Sequence, residues 1–176
     1  MAPMLSQGYY VGSKNDTVRG EIQTNPEDET EIYRQFNFKP KFGGKIMPVS
    51  TKKAKAYGFD DRHFIQYNDG GEDIYIERLA KGRVNFFEYK YNGKINGNPA
   101  IESAYFVQDT RAEGQDEPLR TLKKISNKFY KRDLKPYLKD QPYIWQELDK
   151  FTFNKPAVVN AINEFNKNYE ITETKE

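Results

Sequence analysis

The stretch GYYVGSKNDTVRGEIQ, residues 8–23, decides the fold of this chain. On both sides of a polar segment, apolar side chains alternate with polar or small ones, a period of two residues that is typical of half-buried strands. The polar segment, residues 14–17, contains residue types that tolerate left-handed backbone geometry and hydrogen-bond to their own backbone. The stretch therefore predicts a β-hairpin, and the chain begins with two strands of an antiparallel sheet.

Similar runs follow at close spacing along the chain. Residues 32–38, 74–79 and 84–91 alternate between aromatic or aliphatic side chains and polar ones, as strands do. Turn-forming residues separate the runs, most clearly the tetrapeptide NDGG at 68–71. About seven short strands with tight connections predict an antiparallel sheet, either a sandwich or an open barrel.

Beyond residue 110 the apolar residues recur at intervals of three or four, which is typical of helices. Apolar residues lie at this spacing in 119–129 and again in 158–169. Pro136 predicts a kink or a restart, because proline lacks the amide hydrogen that a helix interior needs. The tripeptide DQP at 140–142 then predicts the start of a short helix between the two longer segments.

These patterns together predict an α+β fold in which an antiparallel β-sheet is followed by three C-terminal helices. We expect the β domain to cover residues 8–110 and the helical cap to cover 118–170. The cap would pack on the sheet and form a single compact unit with it. Residues 171–176 are polar and are expected to form a frayed tail.

Composition excludes several classes of protein. The 176 residues include 15% aromatic side chains and no cysteine, so disulfides, thiolate nucleophiles and cysteine-bound zinc are excluded. A chain of this length buries roughly 70% of its unfolded surface and needs no cross-links to fold. The net charge is +2, which does not favour a nucleic-acid surface over the whole molecule. No apolar run approaches the ~20 residues that span a bilayer, so the chain is not expected to span a membrane.

The single histidine limits the chemistry of catalysis. With His63 alone, two-histidine metal centres cannot form within one chain. A serine triad would need His63 with Asp60 or Asp61, but residues so close in sequence give no triad geometry, and no serine lies in a nucleophile elbow. We predict no catalytic, metal-binding or cofactor-binding residues and no cofactor.

An alternative is a carboxylate-based glycoside hydrolase or another hydrolase. Glu77 and Glu88 fall on neighbouring predicted strands, and a glycosidase needs two carboxyl groups roughly 5–10 Å apart in a cleft. Acidic residues on the solvent-facing side of a sheet more often pair with basic residues across the strands. We therefore favour a protein that is not an enzyme.

Residues 119–139 contain eight basic residues and one acid, and the pattern predicts a basic amphipathic helix. Such a helix binds phosphate backbones or anionic membrane surfaces, which makes an anionic-surface or nucleic-acid binder a further alternative. The opposing interpretation is the solvated face of a helix that packs on the sheet, and we favour it because the whole chain is nearly balanced in charge. The possible anion contacts are Arg120, Lys123, Lys124, Lys128, Lys131 and Arg132.

Aromatic residues on predicted strands and helices provide a third kind of candidate site. Exposed aromatic rings stack on sugars, whereas aromatics on both faces of a sheet indicate two packed layers. The possible ligand contacts are Tyr75, Phe87, Tyr89, Tyr91 and Trp145.

Motifs at both ends of the chain resemble a family of exported proteins of the Bacteroidetes. The N-terminal hairpin has GYYV at 8–11, DTV at 16–18 and GEI at 20–22, similar to the start of the mature region in that family. The C-terminal region has YLKDQP at 137–142 and EFNK at 164–167. Gln141 stands where the family usually has cysteine, and Phe165 stands where it usually has tyrosine.

The resemblance implies a location rather than an activity. It implies an exported protein of the periplasm or cell surface of a Gram-negative bacterium. The segment MAPMLSQG is too short to be a signal peptide, so we expect the signal peptide to have been removed. It carries over no catalytic residue. It also makes Thr17, in the sequence DTV at the hairpin, a possible O-glycosylation site, against the alternative of an ordinary turn.

Our leading hypothesis from the sequence is a non-catalytic binding or structural module of the cell envelope. Its partner would be a protein or a glycan that the sequence does not identify.

Overall fold

The computed structural model describes residues 2–150 and 152–174 and shows an α+β fold with an open sheet, as predicted. Its strands pair in the order β10-β9-β8-β7-β6-β5-β1-β2-β3-β4, and pairing is antiparallel from β7 through to β4 and between β9 and β10. The strands are β1 (Met4–Gly12), β2 (Thr17–Thr24), β3 (Gln35–Pro40), β4 (Met47–Ser50), β5 (Ala54–Phe59), β6 (Arg62–Asn68), β7 (Asp73–Ala80), β8 (Val84–Ile95), β9 (Asn98–Asp109) and β10 (Lys123–Ile125). The helices are α1 (Tyr130–Leu138), α2 (Pro142–Leu148) and α3 (Lys155–Thr174), with 3₁₀ segments at Glu31–Tyr33 and Gly114–Arg120.

The N-terminal hairpin is confirmed. Strands β1 and β2 pair from Met4 opposite Thr24 to Val11 opposite Thr17. The turn closes where the Gly12 amide donates to the Asp16 carbonyl over 2.8 Å. Asn15 takes up the left-handed geometry that the sequence predicted, with φ of 66°. The polar stretch is therefore a turn that sets the register of the sheet.

The chain divides into two compact units. The first contains the chain up to Arg78 together with Tyr89–Ser103, and the second contains Leu79–Glu88 together with the chain from Ala104 onward. Arg78 and Leu79 both lie in β7, so the boundary falls inside strands, whereas the sequence had placed it near residue 110.

The first unit is a strongly curved sheet around an aromatic core. Ser50 ends β4 and Ala54 begins β5, so four chain steps, at most about 14 Å, join them. In a flat sheet, the order β5-β1-β2-β3-β4 would separate them by about 19 Å, so the sheet must curl. On the inside of the curl, the ring of Tyr57 stacks on Phe36 and Phe64 with centroids 4.1 and 4.7 Å away.

The second unit packs its helices on the first residues of β8 and the last of β9. Apolar residues from these strands and from all three helices are almost fully buried together. They include Val84, Phe86, Tyr105, Val107, Leu134, Leu138, Ile144, Ile162 and Phe165.

The basic helix predicted over 119–139 is wrong in its first half. Residues 114–120 form a 3₁₀ segment, β10 follows, and α1 begins only at Tyr130. Residues 123–125 instead pair with β9, from Lys123 opposite Val107 to Ile125 opposite Tyr105. Pro136 lies inside α1, which ends two residues later at Leu138.

The end of the chain differs from the predicted tail over 171–176. Helix α3 continues to Thr174, and the last two residues lie outside the described part of the chain. Across residues 2–150 and 152–174, no helix combines the length and the apolar character required to cross a bilayer.

Candidate functional site

The second unit contains a polar cavity of about 470 Å³. The end of β9, the 3₁₀ segment, the end of α1 and the last turns of α3 surround it, together with the residue just before β8. Its lining side chains include Arg83, Asp109, Arg111, Asp116, Tyr137, Lys139, Asp140 and Tyr169. We call this cavity the Arg83 pocket.

Arg83 is the central charge of the pocket. Its Nε lies 3.4 Å from Oδ1 of Asp109, and its Nη1 donates to Asp140 over 2.9 Å. The guanidinium also lies 4.6 Å from the ring centroid of Tyr169. Burial lowers the pKa of Arg83, but the charges of the two aspartates and their hydrogen bonds outweigh burial and raise the pKa overall.

Backbone contacts hold Arg83 in place. The Thr110 amide donates to the Arg83 carbonyl over 2.7 Å. The next residue, Val84, is bound at both its amide and its carbonyl by the side chain of Asn166, over 2.9 and 2.8 Å. A Cβ atom on Gly82 would lie 2.5 Å from the Asn166 side chain, so glycine is needed for this close approach. The guanidinium is therefore fixed on a rigid support.

The hydroxyl of Tyr137 is the one polar group of the pocket wall, within the described residues, that is buried and lacks a hydrogen-bond partner. The side chain is 2% exposed. Burial and the nearby charge of Asp109 raise its pKa, so the hydroxyl stays protonated and is available as a donor. A buried hydroxyl without a partner costs about 1–3 kcal/mol, and because the Tyr137 oxygen has almost no accessible surface, a ligand recovers this cost only when the pocket wall opens.

Several of the other charges of the pocket are held in ion pairs. Lys139 donates to Asp116 over 2.8 Å, and the single charge of Arg83 is shared between the carboxylates of Asp109 and Asp140. A charged ligand would have to break these pairs. A neutral ligand with several hydroxyl groups would donate to the carboxylates without breaking these ion pairs.

Comparison of the chain with protein-family models, with curated proteins and with solved structures found no match. The pocket must be interpreted from its own chemistry.

The two C-terminal motifs quoted above meet beside this pocket. Tyr137 and Asp140 of the first motif line it. Gln141 of the same motif donates from its side chain to the carbonyl of Phe165, in the second motif, over 3.1 Å and accepts from Asn168 over 3.0 Å. The first motif therefore contributes to the wall of the pocket, and Gln141 connects it to the second motif, a role that the sequence alone did not reveal.

The aromatic candidates do not form one surface. Tyr75 and Phe87 are 0% and 2% exposed, so neither is available to a ligand, and the Tyr75 hydroxyl donates to the Ala54 carbonyl over 2.6 Å. Tyr89 and Tyr91 are half-buried and stack on each other with centroids 5.4 Å apart in the first unit. Trp145 belongs to the second unit, where the amine of Lys135 lies 4.4 Å from its ring centroid.

The basic candidates are spread over several elements rather than along one helix face. Arg120 ends the 3₁₀ segment, Lys123 and Lys124 lie in β10, and Lys128 lies in the loop after it. Only Lys131 and Arg132 lie in α1. Of the six, Lys131 is half-buried, and the others are exposed.

The acidic candidates each have a basic partner within their own unit. Glu77 accepts from Nε of Arg62 over 2.5 Å in the first unit. Glu88 is 1% exposed in the second unit and accepts from Lys155 over 3.1 Å and from the Tyr105 hydroxyl over 3.0 Å. Both carboxylates are held by cations in the manner of structural ion pairs.

The two remaining candidate residues from the sequence, His63 and Thr17, lie in the first unit. Nδ1 of His63 lies 2.7 Å from the Tyr9 hydroxyl. Thr17 is exposed at the end of the hairpin turn, and its glycosylation stays a prediction. A search of the described residues found no group of three or more acidic or histidine side chains that could hold a metal ion.

Proposed function

We propose that this protein is a non-catalytic module of the bacterial envelope and that its Arg83 pocket binds a neutral glycan. The observation that carries the proposal is the cavity itself, in which ion-paired side chains are fixed on a rigid support and the Tyr137 hydroxyl is buried in the wall without a partner in the described residues. The envelope location rests on the resemblance of the terminal motifs alone.

The chemistry of the pocket suits a sugar. Carboxylate oxygens of Asp140 and Asp116, about half exposed at the side-chain level, can accept hydrogen bonds from hydroxyl groups. The half-buried ring of Tyr169 offers an apolar surface at the same cavity. Small-molecule sites are expected to combine a few fixed polar groups with an aromatic ring.

The test is calorimetric titration or saturation-transfer NMR with neutral oligosaccharides, using the wild type and Tyr137→Phe. The variant removes only a hydroxyl that has no partner in the described structure, so the free energy of unfolding should stay equal or rise. Glycan affinity should fall by about fivefold to tenfold, the equivalent of one hydrogen bond.

Tyr130→Phe is the matched control. Tyr130 lies in the same unit, and its hydroxyl donates to the Leu148 carbonyl over 3.1 Å. This variant should lose about 1 kcal/mol of stability and keep its glycan affinity. Absence of wild-type binding to every neutral glycan would overturn the proposal, and release of reducing sugar would make the protein a hydrolase instead.

A further inference from the structure

The hairpin between β3 and β4 presents an unusual apolar tip in the first unit. Phe42 is 96% exposed, and Ile46 and Met47 are 39% and 49% exposed. Residues 41–48 are all exposed, so this apolar surface is not covered by the described part of the chain. Burying a phenylalanine ring is favourable, and the folded chain leaves this gain unused here.

The backbone of the tip holds Phe42 away from the sheet. Pro40 ends β3, and Gly43 and Gly44 have φ of 95° and 123°, a geometry that side chains rarely adopt. A Cβ on Gly44 would lie 3.6 Å from the Pro40 ring, so the chain folds back tightly over the end of the strand. The turn therefore projects Phe42 outward.

The charges within the tip have one sign. Residues 41–48, KFGGKIMP, contain Lys41 and Lys45 and no acidic residue, whereas Lys39, in β3, lies opposite Glu21 of β2. The amine of Lys41 lies 5.9 Å from the ring centroid of Phe42. An apolar residue flanked by lysines is the combination that enters the headgroup region of an anionic bilayer, since the ring is buried while the amines meet lipid phosphates.

We propose that the tip formed by residues 41–47 is a docking site for an anionic phospholipid membrane. Phe42 enters the interface, Ile46 and Met47 follow it, and Lys41 and Lys45 contact the phosphates. This attachment is peripheral and reversible, because each lysine contributes only modestly near the surface. It is independent of the glycan pocket, which lies in the other unit.

The experiment is co-sedimentation with vesicles of phosphatidylcholine alone and of phosphatidylcholine mixed with phosphatidylglycerol. The wild type should bind the mixed vesicles, weakly at high salt, and should not bind phosphatidylcholine alone. Phe42→Ser should lower the partition coefficient at least tenfold. The double variant Lys41→Gln with Lys45→Gln should lower it by a similar factor and reduce the dependence on salt.

Phe129→Ser is the matched control, because Phe129 is 46% exposed and lies next to Lys128 and Arg132 in the second unit. It should bind vesicles like the wild type. The proposal is overturned if Phe129→Ser, rather than Phe42→Ser, abolishes binding, since the basic segment would then be the membrane site. It is also overturned if the wild type does not bind anionic vesicles. In that case, a dimer that depends on Phe42 and is detected by sedimentation equilibrium would identify the tip as a contact between two copies of the chain.

Discussion

The side-chain amide of Asn166 replaces a strand partner for Val84. It is 4% exposed and satisfies both the amide and the carbonyl of that residue, which leads directly from Arg83 into β8. Asn166→Ala would leave two buried backbone groups without partners, at about 1–3 kcal/mol each. We expect a loss of about 2–4 kcal/mol, measured by urea unfolding.

Asn160→Ala is the control on the same helix. Asn160 is exposed, so its replacement should change the free energy of unfolding by less than about 0.5 kcal/mol. Because alanine favours the helix more than asparagine does, helix propensity cannot account for a loss, and a loss of similar size in both variants would contradict the role of the Asn166 hydrogen bonds.

At the residue scale the sequence could not reveal the pocket. Arg83 meets Asp109 and Asp140 across 26 and 57 positions, and no local pattern links residues so far apart. A histidine or a closely spaced pair of acidic residues can be identified as a candidate site from the sequence, because the residues next to it in the chain are known. A buried tyrosine hydroxyl is recognisable only when its surroundings are known.

At the scale of elements, Asp133 joins helix α1 to strand β10. It is 9% exposed, and its Oδ2 accepts from the Ser126 amide, directly after the strand, over 2.9 Å. Burial raises the pKa of Asp133, but the Ser126 hydrogen bond and the charge of Arg132 outweigh it and lower the pKa overall. The folded state therefore prefers the ionised carboxylate.

This preference predicts how stability depends on pH. Because the folded pKa is below the unfolded value of about 4, the stabilisation is present above that value and is lost as pH falls through the folded pKa. Asp133→Asn should be less stable than the wild type at neutral pH and should lose less stability on acidification. Urea unfolding across acidic pH measures both effects. Equal slopes for the wild type and Asp133→Asn would contradict the prediction.

The elements also show where sequence patterns mislead. The hairpin of β1 and β2 was predictable because its strand period and turn residues lie within one short stretch. The apolar residues in 119–129 have the spacing that is typical of a helix, but the backbone of Lys123–Ile125 pairs with β9 instead. A strand of three residues gains its hydrogen bonds from a distant partner, so local spacing could not distinguish it from a helical turn.

At the scale of the whole molecule, tyrosine is a titratable residue that both cores bury. The chain has 13 tyrosines. Tyr57 and Tyr75 are buried in the first unit and Tyr130 and Tyr137 in the second. Burial raises the pKa of all four, since the phenolate would lose its hydration inside either core. The high aromatic content that lets a chain poor in aliphatic residues fold therefore makes both cores sensitive to alkali.

The sign of this effect predicts alkaline unfolding. A tyrosine whose folded pKa is raised stabilises the fold fully below its unfolded pKa of about 10, and this stabilisation is lost as pH rises towards the folded value. Tyrosinate absorbance should therefore rise in two stages, and the second stage should coincide with loss of the near-ultraviolet circular dichroism of the packed rings. In guanidinium chloride the unfolded chain should ionise in a single stage. A single stage near pH 10 with the dichroism intact would show instead that the buried hydroxyls reach solvent in the folded protein.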